Sequence, residues 1–374
     1  MRILIVGPTA SYKRVRNRWL SPRAGLMFYC FANRLANGLV RNGHFVMMLN
    51  DRDARKQTLD LPMAGAWLAN RRLLRIANEL QPDLLCLQHC DLISTETVKQ
   101  IRQTIPHCRV AVVHYDSLFQ ENSAARFRRF LQLADFGFAT TGGETLSRFS
   151  DACPVAYIPN PVDFSIDNLR AYALVDKPFD VFCACCTTGR ANRWGDIDEL
   201  RRLQPDLRYA LHGRNKSGRI SGNAYYEAIS RAKVGLNLNT DEGDLYASDR
   251  MAQYLGNGLL LATSRASGYE QYFEADEMVF FSDANELAGK LEWALSDDDR
   301  WRGMAKKGQA RAAAIMSGIL VADFIVRMTM GLSVPEGWQF CDQIHCAERL
   351  RRAYASMAAA QGNSRAAADQ WEAA

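Results

Sequence analysis

The chain has 374 residues, 48% of them hydrophobic, ten cysteines and a formal net charge of +5. That length is comfortable for two domains, since one domain usually spans about 100–200 residues. The charge is too mild to mark a polyanion-binding protein by composition and argues against a nucleic-acid partner, so basic residues are judged by position.

Arg2 to Gly7 is a short apolar run ending in Gly-Pro, which suits a buried parallel strand feeding a loop rather than a secretion signal, and no apolar run reaches the length of about 18 residues that a membrane span needs. The expectation is a cytoplasmic protein whose cysteines are thiols. Phe28 to Val40 has helical spacing and leads to a second strand, Phe45 to Leu49. Strands follow at Leu84 to Leu87, Val110 to Val113, Phe136 to Ala139 and Val155 to Ile158, with helices between them around Leu68 to Leu80, Thr95 to Thr104 and Ala124 to Leu133. Such alternation predicts a doubly wound parallel sheet.

The proline-rich Ile158-Pro159-Asn160-Pro161-Val162-Asp163 opens a stretch to Lys177-Pro178 with little periodicity, read as a linker. The expected organisation is a first Rossmann-like domain over 1–160, a linker over 161–178, a second Rossmann-like domain over 179–335, and a helix with a disordered tail over 336–374. In the second domain, strands are expected at Phe179 to Cys186 and Arg208 to Arg214. Helices are expected at Asp198 to Leu203, Glu286 to Ala294, Asp299 to Ala312 and Ile315 to Met330, with a last basic helix at Ala347 to Met357.

Ligands of open α/β sheets bind beyond the carboxyl ends of strands, which directs attention to what stands there. After the first strand come Lys13, Arg14, Arg16, Arg18 and Arg23 before Gly25, a loop that suits an anionic acceptor, the neutralisation of donor phosphates, or plain solvation. Leu87-Gln88-His89 closes one strand and Val113-His114-Tyr115-Asp116 the next, placing His89, His114 and Asp116 where a general base would stand; a hydrogen-bonded structural histidine is the competing reading. After the later strands come Gly189, Arg190, Arg193 and Arg214, suited to a diphosphate or to surface ion pairs. A GxGxxG fingerprint is absent, which counts against a nicotinamide or flavin enzyme. Cys183 and Cys186 have CxxC spacing without further ligands nearby, so no metal is expected.

The most informative stretch is Tyr246 to Leu261, YASDRMAQYLGNGLLL. Ser248, Asp249 and Arg250 open a helical segment that closes on Gly256-Asn257-Gly258 and runs into a strand at Leu259 to Ala262. Ser and Arg at a helix start suit a phosphate, and Gln253 lies one turn on, within reach of an attached sugar; an ordinary capped helix fits the same residues.

With Tyr225 to Leu238 upstream and Gly268-Tyr269-Glu270-Gln271-Tyr272-Phe273 and Glu277 to Phe281 downstream, this order resembles the carboxy-terminal half of GT-B glycosyltransferases, most closely the spore-maturation CgeB-like group with its SDRxxEYLGxG segment. The resemblance covers Phe179 to Arg311 well and the first half in outline, where PNPVD is a further point of likeness. It implies two Rossmann-like domains facing each other across a cleft and metal-independent transfer of a sugar from a UDP- or GDP-type nucleotide sugar, a co-substrate rather than a bound cofactor. The acceptor would be a glycan or lipid-linked hydroxyl in polysaccharide synthesis. Donor contacts fall on Gly189, Arg193, Arg214, Ser248, Asp249, Arg250 and Gln253, acceptor contacts on Arg14, Arg16, Arg23 and Gly25. Gln253 departs from the family, which usually carries a glutamate for the ribose hydroxyls. A nucleotide-sugar epimerase and a non-catalytic sugar- or polyanion-binding module are the rival readings. Basic clusters at Arg71-Arg72, Arg126 to Arg129 and Arg349 to Arg352 are compatible with peripheral membrane contact at the inner face and with solvated helix faces.

Overall fold

The computed structural model describes residues 1–8, 28–59, 61–185, 193–214 and 218–351. Its strands are β1 (Arg2–Val6), β2 (Phe45–Leu49), β3 (Leu84–Gln88), β4 (Arg109–His114), β5 (Phe136–Ala139), β6 (Val155–Tyr157), β7 (Phe179–Ala184), β8 (Tyr209–His212), β9 (Ala232–Asn237), β10 (Leu260–Ser264), β11 (Val279–Phe281) and β12 (Ile344–His345). The helices are α1 (Phe31–Arg41), α2 (Asp51–Gln57), α3 (Pro62–Leu80), α4 (Thr95–Thr104), α5 (Glu121–Leu131), α6 (Gly143–Ser147), α7 (Arg193–Leu203), α8 (Asn223–Ser230), α9 (Arg250–Gly256), α10 (Ala284–Leu295), α11 (Asp298–Ile315) and α12 (Gly318–Thr329). They form two compact units, the first holding the described residues of 1–8, 30–159 and 318–351 and the second those of 28–29 and 160–317.

The first unit is a seven-stranded sheet in the order β12-β6-β5-β4-β3-β1-β2. All neighbours are parallel except β12, which pairs antiparallel with β6. Ile3 to Val6 and Leu84 to Leu87 are buried throughout, the continuous apolar burial expected of strands covered on both faces. Helix α4 starts where the Ser94 side chain accepts from the Thr97 N–H, and α3 starts at Pro62, whose fixed φ suits a first helical position. Helix α12 crosses α1 at Gly38, where a Cβ would stand 2.0 Å from the Gly318 carbonyl oxygen, so only glycine lets the two backbones meet. The chain beyond α12 returns to the same unit, where Trp338 stacks on Phe324 at 3.7 Å. Sequence periodicity misses α2, whose DRDARKQ has no apolar stripe and is started instead by the Asn50 side chain accepting from Arg52 N–H. It also misses β12, which is two residues long.

The second unit is a five-stranded parallel sheet in the order β11-β10-β9-β7-β8. Val181, Cys183, Val234, Leu236 and Leu260 from the sheet pack with Trp194 and Ile197 of α7, Leu291 of α10 and Trp301 of α11. Residues 160–178 join this unit by scattered contacts, polar and apolar, rather than by a periodic face, Val162 and Ala171 being buried. Val162 bridges to Ser317, and the buried Asp167 accepts from the Tyr226 hydroxyl and the Asn257 amide.

Both sheets are doubly wound with one strand order. The second strand lies on one side of the first and the third on the other, so the order reverses between β1 and β3 and again between β7 and β9. In open α/β sheets the carboxyl end of such a reversal is where a ligand finds a crevice.

Candidate active site

Arg250 stands at the reversal point of the second sheet. Its Nη1 donates to the carbonyl of Ala184, the last residue of β7, at 3.2 Å, and its Nη2 to that of Leu238, just past β9, at 2.7 Å. A guanidinium carries five N–H donors, so two are spent on anchoring; Nε is buried without a partner. Helix α9 has only seven residues, so the charge at this point is that of the guanidinium rather than of a long helix dipole.

An amide network holds the loop that leads into α9. Ser248 Oγ donates to Asn237 Oδ1 at 2.7 Å and Ser248 N–H to Asn239 Oδ1 at 2.9 Å, while Asn160 donates to the Ala247 carbonyl at 2.9 Å. Sequence reasoning missed all three asparagines. The usable signal was Asn-x-Asn at the end of an apolar strand, where buried polar side chains must find partners. Gln253 is buried, and its amide is spent inside the protein: Oε1 accepts from the Tyr225 hydroxyl at 2.5 Å and Nε2 donates to Asp249 Oδ2 at 3.0 Å. Asp249 itself is exposed.

Of the arginines assigned to phosphate, the structure separates two. Arg193 is buried at the start of α7, and with Arg250 it acts on Cys185. The Cys183 thiol, whose sulfur lies 3.7 Å away, and those two positive charges together outweigh burial and bring Cys185 down to about 7. Arg214 is exposed and bound bidentately to Asp198 at 2.8 and 2.7 Å, with its guanidinium over Trp194. It serves as an ion-pair partner on α7. Gly189, Arg190 and Cys186, and the loop residues Arg14, Arg16, Arg23 and Gly25, lie outside the described residues.

In the first unit the three titratable residues do come together. His89, just past β3, has a left-handed φ of 44°, uncommon for a residue with a side chain. Its ring stacks between Tyr115 at 3.9 Å and His114 at 4.3 Å. The Tyr115 N–H donates to His89 Nε2 at 3.2 Å, which leaves the ring proton on Nδ1, and Nδ1 faces Asp116 Oδ2 at 3.4 Å. Burial, with the positive charges of Arg126 and Arg52, pushes His89 down to about 3; burial and the neighbouring His89 push His114 to about 3 as well. Both are neutral at physiological pH. His114 is enclosed with its Nε2 2.7 Å from Ser123 Oγ, a structural position, whereas the Asp116 side chain is 52% exposed beside Arg126 at 3.6 Å. A base that meets substrate must be reachable, and of the three only Asp116 is.

Five further polar atoms, Asn50 Nδ2, Asp51 Oδ1, Gln88 Oε1, Ser117 Oγ and Thr140 Oγ1, are buried without a hydrogen-bond partner. All stand at or just past the carboxyl ends of β2 to β5. Buried polar atoms are seldom left so, and five of them on one edge make it a candidate for ligand contact. Among the described residues no group of three or more His, Cys, Asp or Glu is placed to hold a metal ion.

Residues 193–317 match a protein-family model described as glycosyl transferase-like. No curated protein sequence matches the chain. Among solved structures, sucrose-phosphate synthase from Thermosynechococcus elongatus superposes with a TM-score of 0.58 at 13% identity, over 86% of this chain and 96% of that one. Anabaena Alr3699/HepE, in complex with UDP and glucose, gives a TM-score of 0.56 at 14% identity over 87% and 98%. The chain has the GT-B fold. The GT-B match spans both units, and the family match falls on the unit that carries Arg250 and Arg193. The narrower CgeB-like likeness rests on the sequence motifs alone.

Proposed function

We propose that the chain transfers a hexose from a nucleotide-diphosphate sugar of the UDP or GDP type to an acceptor hydroxyl, in the synthesis of a surface glycan or glycoconjugate. The observation that carries this reading is Arg250, a fixed guanidinium with unspent donors at the strand-order reversal of the glycosyl transferase-like unit. Solved relatives of the fold held with UDP and glucose support the donor class.

In the reaction a bond forms between the acceptor oxygen and the anomeric carbon, and the bond from that carbon to the diphosphate breaks with its electron pair. Arg250, together with Arg193, meets the charge that grows on the leaving diphosphate, so cationic side chains take the part that a divalent metal plays elsewhere. Asp116 receives the acceptor proton. His89 faces that carboxylate with its Nδ1 and is itself kept neutral by burial, so it stands beside the base and does not compete for the proton. The acceptor, a glycan or lipid-linked hydroxyl, belongs at the edge bearing Asp116 and the unpartnered polar atoms.

The test is a thermal-shift screen against UDP- and GDP-sugars, because a ligand that binds only the folded state raises Tm. A donor that raises Tm in the wild type and not in Arg250→Ala supports the reading. No shift with any nucleotide sugar overturns it, and steady release of free nucleoside diphosphate without an acceptor reassigns the chain to an epimerase-type reaction.

A further inference from the structure

Helices α2 and α3 form a hairpin on which four apolar side chains are bare. Leu59, Leu61, Met63 and Trp67 are 87%, 59%, 88% and 60% exposed. The two helices touch where a Cβ on Gly65 would stand 2.8 Å from the Arg55 Cα, which places Arg55 beside the first turn of α3. Along α3, Gly65, Ala69, Leu73 and Ala77 are the buried stripe, and Met63, Trp67, Arg71 and Arg75, four residues apart, share the outer face. That outer face is therefore graded, apolar at the tip and cationic behind it.

The cations are arranged for a partner outside the chain. Arg75 is paired with Glu79, Arg52 with Asp91, and Arg72 bonds Gln57. Arg55 and Arg71, nearest the apolar tip, make no ion pair among the described residues; Arg71 instead lies over the Trp67 ring at 5.2 Å. A tryptophan between apolar side chains and free arginines matches the amphipathic gradient of a lipid–water boundary, where the ring sits at the headgroup level and arginines reach phosphates.

We infer that the α2–α3 tip is a docking surface for an anionic membrane, with Leu59, Leu61, Met63 and Trp67 entering the boundary layer and Arg55 and Arg71 contacting headgroups. Shape favours lipid over a second protein. A side chain nearly nine-tenths exposed stands clear of its surroundings, and a fluid bilayer receives such projections without a preformed pocket. No helix among the described residues is long and apolar enough to cross a membrane, so the contact is peripheral.

The test is flotation of the full chain with phosphatidylcholine vesicles, with and without phosphatidylglycerol. The expected result is partition onto the anionic vesicles that weakens with salt. Met63→Ser/Trp67→Ser and Arg55→Glu/Arg71→Glu each lower it by about tenfold or more, the second pair also removing the preference for anionic lipid. These side chains are exposed, so the variants keep the wild-type melting temperature, and Trp293→Ser, at an exposed tryptophan of the second unit, keeps wild-type binding. The inference is overturned if the wild type ignores anionic vesicles, if the hairpin variants bind as well as the wild type, or if Met63→Ser/Trp67→Ser abolishes a concentration-dependent dimer in sedimentation while no vesicle binding is seen.

Discussion

The two sheets share one strand order and differ in what stands where that order reverses. At β7/β9 a permanent cation is fixed by two strand-end carbonyls, and the loop beside it is tied by Asn160, Asn237 and Asn239. At β1/β3 and its neighbour β4 stand two neutral imidazoles and one carboxylate, with five buried polar atoms left unpartnered along the edge. An unmade buried hydrogen bond costs about 1–3 kcal/mol, so the β2 to β5 edge, with five such atoms, gives up more stability than the β7/β9 edge, where Arg250 Nε is unpartnered. One strand order thus carries a fixed guanidinium in one unit and a row of unpartnered polar atoms in the other.

The comparison breaks most readily at Arg250. Arg250→Ala should cost about 2–4 kcal/mol in kcat/KM, the loss of a charge-assisted bidentate donor. Near-normal kcat/KM in a folded Arg250→Ala protein would remove the anion holder from the second edge. Next comes the base: Asp116→Asn should lower kcat by about two orders of magnitude with donor affinity nearly unchanged. If donor affinity collapses instead, the division of labour between the edges is lost.

The neutral histidines sharpen the contrast through pH. Their folded values lie near 3 against an ordinary 6.5, so below pH 6.5 the unfolded chain takes up protons that the folded chain refuses. Their contribution is fully present above pH 6.5 and is lost as pH falls from there toward 3, with a slope of about 1.4 kcal/mol per pH unit for each histidine. His114→Gln should shrink the fall in Tm between pH 6.5 and pH 5; an unchanged fall would show that His114 is charged in the folded state. The smallest effect is at Gln253. Because its amide is spent on Tyr225 and Asp249, Gln253→Ala should lower stability by about 1 kcal/mol and shift donor affinity less. Tighter donor binding by Gln253→Glu would put residue 253 against the ribose after all.

Strand succession was legible because parallel strands buried on both faces leave apolar runs such as Ile3 to Val6, and the approach to Arg250 was legible because Ser248-Asp249-Arg250 interrupts such a pattern. The rest depends on contacts distant in sequence. Nothing local tells that Asp198 captures Arg214, that Asp167 serves Asn257, or that Gln253 turns inward. Nor could composition separate Trp67, which is bare, from Trp301, which is fully buried, since both lie in helices among arginines.

Helix α9 has one consequence in the time domain. An isolated helix of seven residues is not stable in water, where about 12–15 residues are needed even for good helix formers. All its order is borrowed: at its start from Ser248, at its end from Asn257, which donates to Gln253 O and Asp167, and from Gln309, which donates to the Gly256 carbonyl. With both ends fixed by these side chains and Met251, Ala252, Tyr254 and Leu255 fully buried, α9 should open little by itself, so its amide protons should exchange with solvent mainly when the second unit opens, making the segment that carries Arg250 among the slower-exchanging in the chain despite being one of its shortest helices.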